Sequence, residues 1–249
     1  MNTRTTPGKT LMALGLVALA GLSLAADPPF GLFHIGNFQR MTQQGETAGV
    51  AAISDLPNAS GTWGVGATAG LKGEMIQLDG RLLVSPGSDA RGTVRAPEQG
   101  EQALLWASAR VSQWMEVKVP HTMNQAIFEA FVQEQAKISG LSLAQAFVFR
   151  VVGQFPRLRW HVVTGEKTMP DAGHSGGAHA NQQSGMKLFH SPGALGQLVG
   201  IYSGQDLEGV VSHPGERFHL HYADDNASIS GHVDAYAVAA GTVLMLPKP

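Results

Sequence analysis

Cysteine is absent from all 249 residues. Neither a disulfide framework nor a thiolate metal site is open to this chain, so any metal must be held by imidazole and carboxylate groups. Charge is scarce as well. Asp, Glu, Lys and Arg make up 14% of the sequence and sum to a formal net charge of -2. No basic run interleaved with aromatics occurs, which argues against nucleic acid as a partner. Long apolar runs are also lacking. The strongest, residues 11–22, follows Arg4 and Lys9 and precedes Ser23-Leu24-Ala25 and Asp27-Pro28-Pro29. It is shorter than the roughly 20 residues that a spanning helix needs and has the three-part form of an export signal. The sequence therefore predicts a signal peptide over 1–25, no stable membrane span after processing, and a periplasmic or secreted mature protein.

What remains is apolar enough to fold: 43% of the residues are hydrophobic, ample for one large α/β domain or two small ones. Glycine punctuates short apolar stretches at 48–53, 63–69, 75–78 and 81–84, the spacing of short strands joined by tight turns. Asp79-Gly80 between two apolar runs predicts a hairpin. Residues 103–111 suit a strand, although a short helix fits nearly as well. One helix is predicted between His121 and Ser139, with Met123, Ala126, Ile127, Ala130 and Phe131 as its inward stripe and Gly140 as its stop. Residues 145–152 read as a buried strand carrying a single charge, Arg150. Residues 171–185 are Gly-rich and polar and read as a loop. From 194 onward the pattern returns to strands at 197–202, 217–222, 231–238 and 242–246. The division expected is a signal peptide (1–25), an N-terminal α/β part (26–140) and a C-terminal β part (141–249).

The chemistry concentrates near the end. In Arg217-Phe218-His219-Leu220-His221-Tyr222 the alternation is strict, so a strand sends both imidazoles to one face and Phe218, Leu220 and Tyr222 to the other. Asp224-Asp225-Asn226 opens a polar connection, and Gly231-His232-Val233-Asp234 returns as a second strand. A hairpin thereby delivers His232 beside His219 and His221. Three neutral imidazoles hold a metal on one side and leave a position for substrate, the pattern of a catalytic zinc site. Nickel, copper, cobalt and iron suit the same ligands. His174 and His179 lie in the Gly-rich loop, and His34, His121, His161, His190 and His213 are isolated in sequence, so none of these is assigned to the site.

The hairpin His219-Leu220-His221-Tyr222, Asp224-Asp225, Ser230-Gly231-His232-Val233-Asp234 resembles the zinc signature of the α-acetolactate decarboxylases. The resemblance extends to Gly64-Val65-Gly66, Gly70-Leu71-Lys72-Gly73-Glu74-Met75-Ile76, Leu78-Asp79-Gly80, the strand Phe147 to Phe155 with Arg150, and Gly196-Gln197-Leu198-Val199-Gly200. It implies a strand-rich α/β (α+β) fold made of an N-terminal mixed sheet with helices and a smaller C-terminal β-barrel carrying the three-histidine site. It also implies zinc (Zn2+) on His219, His221 and His232, Glu74 and Arg150 as site residues, and a homodimer. The activity implied is conversion of 2-acetolactate, or a similar 2-hydroxy-3-keto acid, to acetoin and CO2. In that chemistry a Lewis acid polarises the substrate oxygens, a guanidinium pairs with a carboxylate or oxyanion, and a buried carboxyl supplies a proton. The competing readings are an internal salt bridge for Arg150 and a solvated turn carboxylate for Glu74. For the whole chain they are an exported binding protein that captures a metal or hydroxy-keto acid without turnover, and a cupin-like metalloenzyme. The resemblance implies a further glutamate near the metal from a C-terminal tail, but no acidic residue follows Asp234; either another carboxylate compensates, the stereochemistry of protonation is relaxed, or the substrate is a different one.

Overall fold

The computed structural model describes residues 1, 31–165 and 185–249. The export-signal reading, His174 and His179 lie outside the described residues. No helix among the described residues is long and apolar enough to cross a membrane.

Six strands form the first sheet: β1 (Phe33–Ile35), β2 (Ala51–Ala52), β3 (Thr62–Thr68), β4 (Glu74–Leu78), β5 (Arg81–Ser85) and β6 (Gln102–Arg110). Their order is β1-β6-β3-β4-β5, with β2 also on β6. A short helix, α1 (Phe38–Gln44), follows β1. The second sheet takes nine strands: β7 (Trp114–Lys118), β8 (Met123–Asn124), β9 (Phe147–Phe155), β10 (Arg157–Val163), β11 (Met186–His190), β12 (Ala194–Tyr202), β13 (Phe218–Asp224), β14 (Ser230–Val238) and β15 (Val243–Pro247). Their order is β11-β10-β14-β13-β12-β9-β15-β7, with β8 on β14. The helix α2 (Gln125–Ile138) leads from β8 toward β9.

The Asp79-Gly80 hairpin forms between β4 and β5, with both turn residues at positive φ, 51° and 84°. This is the backbone that matches the twist of its strands. Residues 102–110 are a strand, not a helix. Four expectations are corrected. The first sheet is antiparallel throughout and not mixed. The second sheet is open among the described residues: its path ends at β11 and β7 without a pairing between them, and no closed barrel is formed by the described strands. The sheets do not part the chain at residue 140, because β7 and β8 belong to the second sheet. Finally, α2 buries Phe128, Val132 and Ala136, while Ile127 is half exposed. Its sequence carries two adjoining apolar stripes, and packing on the sheet selects the one at spacing four.

Alternation along the strands sorts the molecule into layers. One face of the second sheet packs Phe149, Val151, Leu198, Leu220, Tyr222 and Leu244 against α2. The opposite face sets Val148, Val199, Ile201 and Ala223 against Trp63, Val65, Ile76 and Leu78 of the first sheet. The other side of the first sheet is closed by Ile53, Leu56, Met75, Val84 and Trp106. The seam between the two sheets is where β4 and β13 bring their polar residues together.

Candidate metal and substrate site

The strict alternation of β13 is borne out. Leu220 and Tyr222 join the α2-side core, while His219 and His221, 6% and 0% exposed, turn toward the first sheet. His232 on β14 is the direct cross-strand partner of His221. Such partners share a face. Gly231 precedes it because a Cβ there would lie 2.3 Å from the His161 carbonyl oxygen. The missing side chain lets β10 and β14 approach next to the site.

The ring centroids of His219, His221 and His232 are 5.0 to 5.4 Å apart, and one ligand-type nitrogen from each lies within 4.8 Å of the others. The group could hold a metal ion. His219 Nδ1 lies 2.9 Å from the Val211 carbonyl oxygen, an acceptor only, so Nδ1 carries the hydrogen and Nε2 keeps its lone pair. His219 Nε2 and His221 Nε2 are 3.1 Å apart. Two nitrogens on one tetrahedral zinc at about 2.05 Å would be separated by about 3.3 Å. The donor set therefore fits a metal that takes imidazole. Burial, aided by mutual repulsion, lowers the basicity of all three rings, His219 to about 4 and the others well below the usual value. They are neutral and ligand-competent near pH 7.

Glu74 enters this seam from the first sheet. It heads β4 in alternation with Ile76 and Leu78 and is 4% exposed. Its Oε2 lies 3.6 Å from His221 Nε2 and its Oε1 lies 3.9 Å from His161 Nε2. Burial pushes its pKa up to about 7, against the pull of His161 and of the Val163 N–H, which donates to Oε1 at 3.4 Å. A cation on the histidines would draw it back down.

Arg150 is placed elsewhere. Its Cα pairs with Val199, and Val199 pairs with His221, so the arginine shares a row with the histidines but is set off by a buried valine. The guanidinium lies 3.7 Å above the Trp63 ring and 5.6 Å from that of Trp114, and Nη2 donates to Gln197 Oε1 at 2.9 Å. Burial lowers its pKa to about 10 despite the charges of Asp79 and Glu116. The expected site arginine is therefore an intersheet cation–π contact, and the salt-bridge alternative is not its setting either.

Two residues missed from sequence stand at the site. His161 on β10 pairs with His232, ring centroids 4.9 Å apart. Its Nδ1 lies 2.7 Å from Asp234 Oδ1. Burial opposes its charged form, but the Asp234 hydrogen bond and the nearby Glu74 outweigh burial and raise its pKa. The alternation Trp160, His161, Val162 signals a ring turned from the core, yet nothing local says which sheet row it joins. His213 packs its ring 4.1 Å from Phe38 and 6.2 Å from His232. A cavity of about 80 Å³ borders Glu74, His161, His213, His219 and His232, with Phe38 among its apolar walls.

The sequence matches the family model for alpha-acetolactate decarboxylase over residues 32–247. An alpha-acetolactate decarboxylase of Methanosarcina mazei is 26% identical over 186 residues, 74% of this chain. The match spans only 58% of that relative's length. Among solved structures, alpha-acetolactate decarboxylase from Bacillus subtilis strain 168 superposes with a TM-score of 0.69 at 20% identity, covering 88% of this chain and 86% of that one. A Staphylococcus aureus protein of unknown function, similar to alpha-acetolactate decarboxylase, gives 0.65 at 18% identity over 88% and 85% of the two chains. These structural likenesses establish the shared fold, and the sequence match over nearly all of the described chain carries the assignment: this protein belongs to the alpha-acetolactate decarboxylase family.

Proposed function

We propose that this chain is a zinc-dependent carboxy-lyase that converts 2-acetolactate, or a close 2-hydroxy-3-oxo acid, to acetoin and CO2. The observation that carries this reading is the meeting of a buried carboxyl from one sheet, Glu74, with three neutral imidazoles from the other. When bound to His219, His221 and His232, zinc supplies the Lewis acidity that draws electron density from the departing carboxylate toward the substrate's carbonyl oxygen. The remaining work belongs to the chain. Loss of CO2 leaves a carbon that must take up one proton, and Glu74, a buried carboxyl 3.6 Å from His221 Nε2, is the group of this chain placed to hold that proton on its carboxyl oxygen. Phe38 and Leu105 wall the same cavity and exclude water from one side.

The zinc-loaded full chain is mixed with racemic 2-acetolactate while CO2 and acetoin are followed. Release above the spontaneous rate is expected, and its absence would sink the decarboxylase. Glu74→Gln, near-isosteric, is expected to keep its zinc by elemental analysis and lose at least about 100-fold in kcat. An unchanged kcat would remove Glu74 from the chemistry. The same turnover assay separates the enzyme from a binding module that captures a metal or hydroxy-keto acid without turnover. A cupin-like enzyme is disfavoured, since the family match lies elsewhere and the described strands form two open sheets.

A further inference from the structure

His161 sits in one cross-strand row with His232 and His221, yet its nitrogens are engaged differently from those of the three-histidine group. Nδ1 meets Asp234 Oδ1 at 2.7 Å, and Nε2 looks across to Glu74 Oε1 at 3.9 Å. Asp234 reaches the ring through a bulge. Arg159 pairs with Ala235 and Trp160 with Val233, which leaves Asp234 as the extra residue on β14. A bulge of this kind re-aims a side chain that regular pairing would direct elsewhere. Here it points a carboxylate at the imidazole and fixes which nitrogen faces the cavity.

The gap between Nε2 and Oε1 is too wide for a hydrogen bond, but an oxygen atom set to one side of the line can lie about 2.8 Å from both. With Nδ1–H committed to Asp234, Nε2 and Oε1 are the two polar atoms left facing the gap. A carboxylate oxygen accepts and a ring nitrogen donates or accepts, so an atom that can itself both donate and accept suits the pair. A ketone oxygen or a carboxylate has no hydrogen to give to the acceptor, whereas a hydroxyl satisfies both.

We infer that His161 is a further substrate-contacting residue, which shares the substrate's 2-hydroxyl with Glu74, and that Asp234 is the positioning residue that holds its ring. The inference rests on the proposed reaction for the identity of the hydroxy acid and deepens it. A 3-oxo acid without the hydroxyl would leave two buried polar groups unpaired, and sites of that kind reject such analogues strongly. The pair is thus the specificity device of the site.

The test uses two non-reacting acids on the zinc-loaded full chain: 2,3-dihydroxy-2-methylbutanoate, and 3-hydroxy-2-methylbutanoate, which lacks the 2-hydroxyl. Calorimetry gives Kd for each, and elemental analysis checks zinc in every variant. The wild type is expected to prefer the diol by at least about 30-fold. His161→Phe should cut that preference at least about tenfold at equal zinc content, because the cycle of residue against hydroxyl isolates their coupling. His161→Gln, whose amide can donate and accept, should restore part of it, and Asp234→Asn should reduce it about threefold or more. If His161→Phe fails to fold, His161→Gln and Asp234→Asn decide the matter by the same ratio. An unaltered ratio in the folded, zinc-loaded variants overturns the inference, as does a wild type with no preference for the diol. A wild type that shows the His161-dependent preference but releases no CO2 from acetolactate leaves the hydroxyl contact standing and removes the decarboxylase.

Discussion

Arg150 and His161 exchange the places that the sequence suggests for them. Arg150 is the lone charge in an apolar run, and the family resemblance points to it; His161 has no neighbour in sequence to mark it. Both lie on the sheet face that meets the first sheet, in one row of cross-strand partners. Val199 separates the arginine from His221, and the flat guanidinium finds Trp63 at 3.7 Å instead. Which charged group reaches the metal-side cavity is thus set by the strand it occupies, not by its residue type. Arg150→Lys loses the planar stack and weakens the bond to Gln197. It is expected to lower stability by about 1–2 kcal/mol in urea unfolding while zinc content stays at the wild-type level. Undiminished stability combined with a hundredfold fall in kcat would return Arg150 to the site.

Among the elements, the hairpins and α2 show how far local signals reach. The Asp79-Gly80 turn and the His-x-His strand form as the sequence predicts because turn conformation and side-chain alternation are properties of a few adjacent residues. The start of α2 is similarly local. Asn124 is extended at φ -74°, ψ 171°, and its side chain accepts from the Ile127 N–H at 3.0 Å. Asn124→Ala should cost about 1 kcal/mol of stability by chemical denaturation. The helix packs on the face away from the histidines, so zinc binding is expected to persist, and a variant that loses metal would show that α2 supports the site across the sheet. The inward stripe of α2 was not legible, since apolar residues occupy two neighbouring stripes and only the sheet beneath chooses. The bulge at Asp234 was hidden for a related reason: it exists only relative to the partner strand β10.

For the molecule as a whole, the site is a seam. Glu74 comes from the six-stranded sheet and the histidines from the nine-stranded one, so the full constellation requires both sheets to be folded and docked. A metal that binds this arrangement and not the unfolded chain stabilises it by mass action, about 2.7 kcal/mol at a hundred times Kd. For a chain of this size that corresponds to a rise in Tm of about 5–10 °C. Zinc is expected to produce such a shift in thermal melts of the wild type, and His221→Ala is expected to abolish it. A shift that survives in His221→Ala would place the metal elsewhere.

The sequence by itself determined that a metal must be held without thiolates, that His219 and His221 share a face, and that His232 returns beside them. Each follows from composition or from the two-residue period of a strand. Only the tertiary structure decided that Arg150 stacks on Trp63, that His161 and Asp234 stand beside the histidines, and that the described strands of the second sheet leave it open. Those outcomes depend on register, on one bulge and on the docking of two sheets, contacts between residues far apart in the chain that no local pattern encodes.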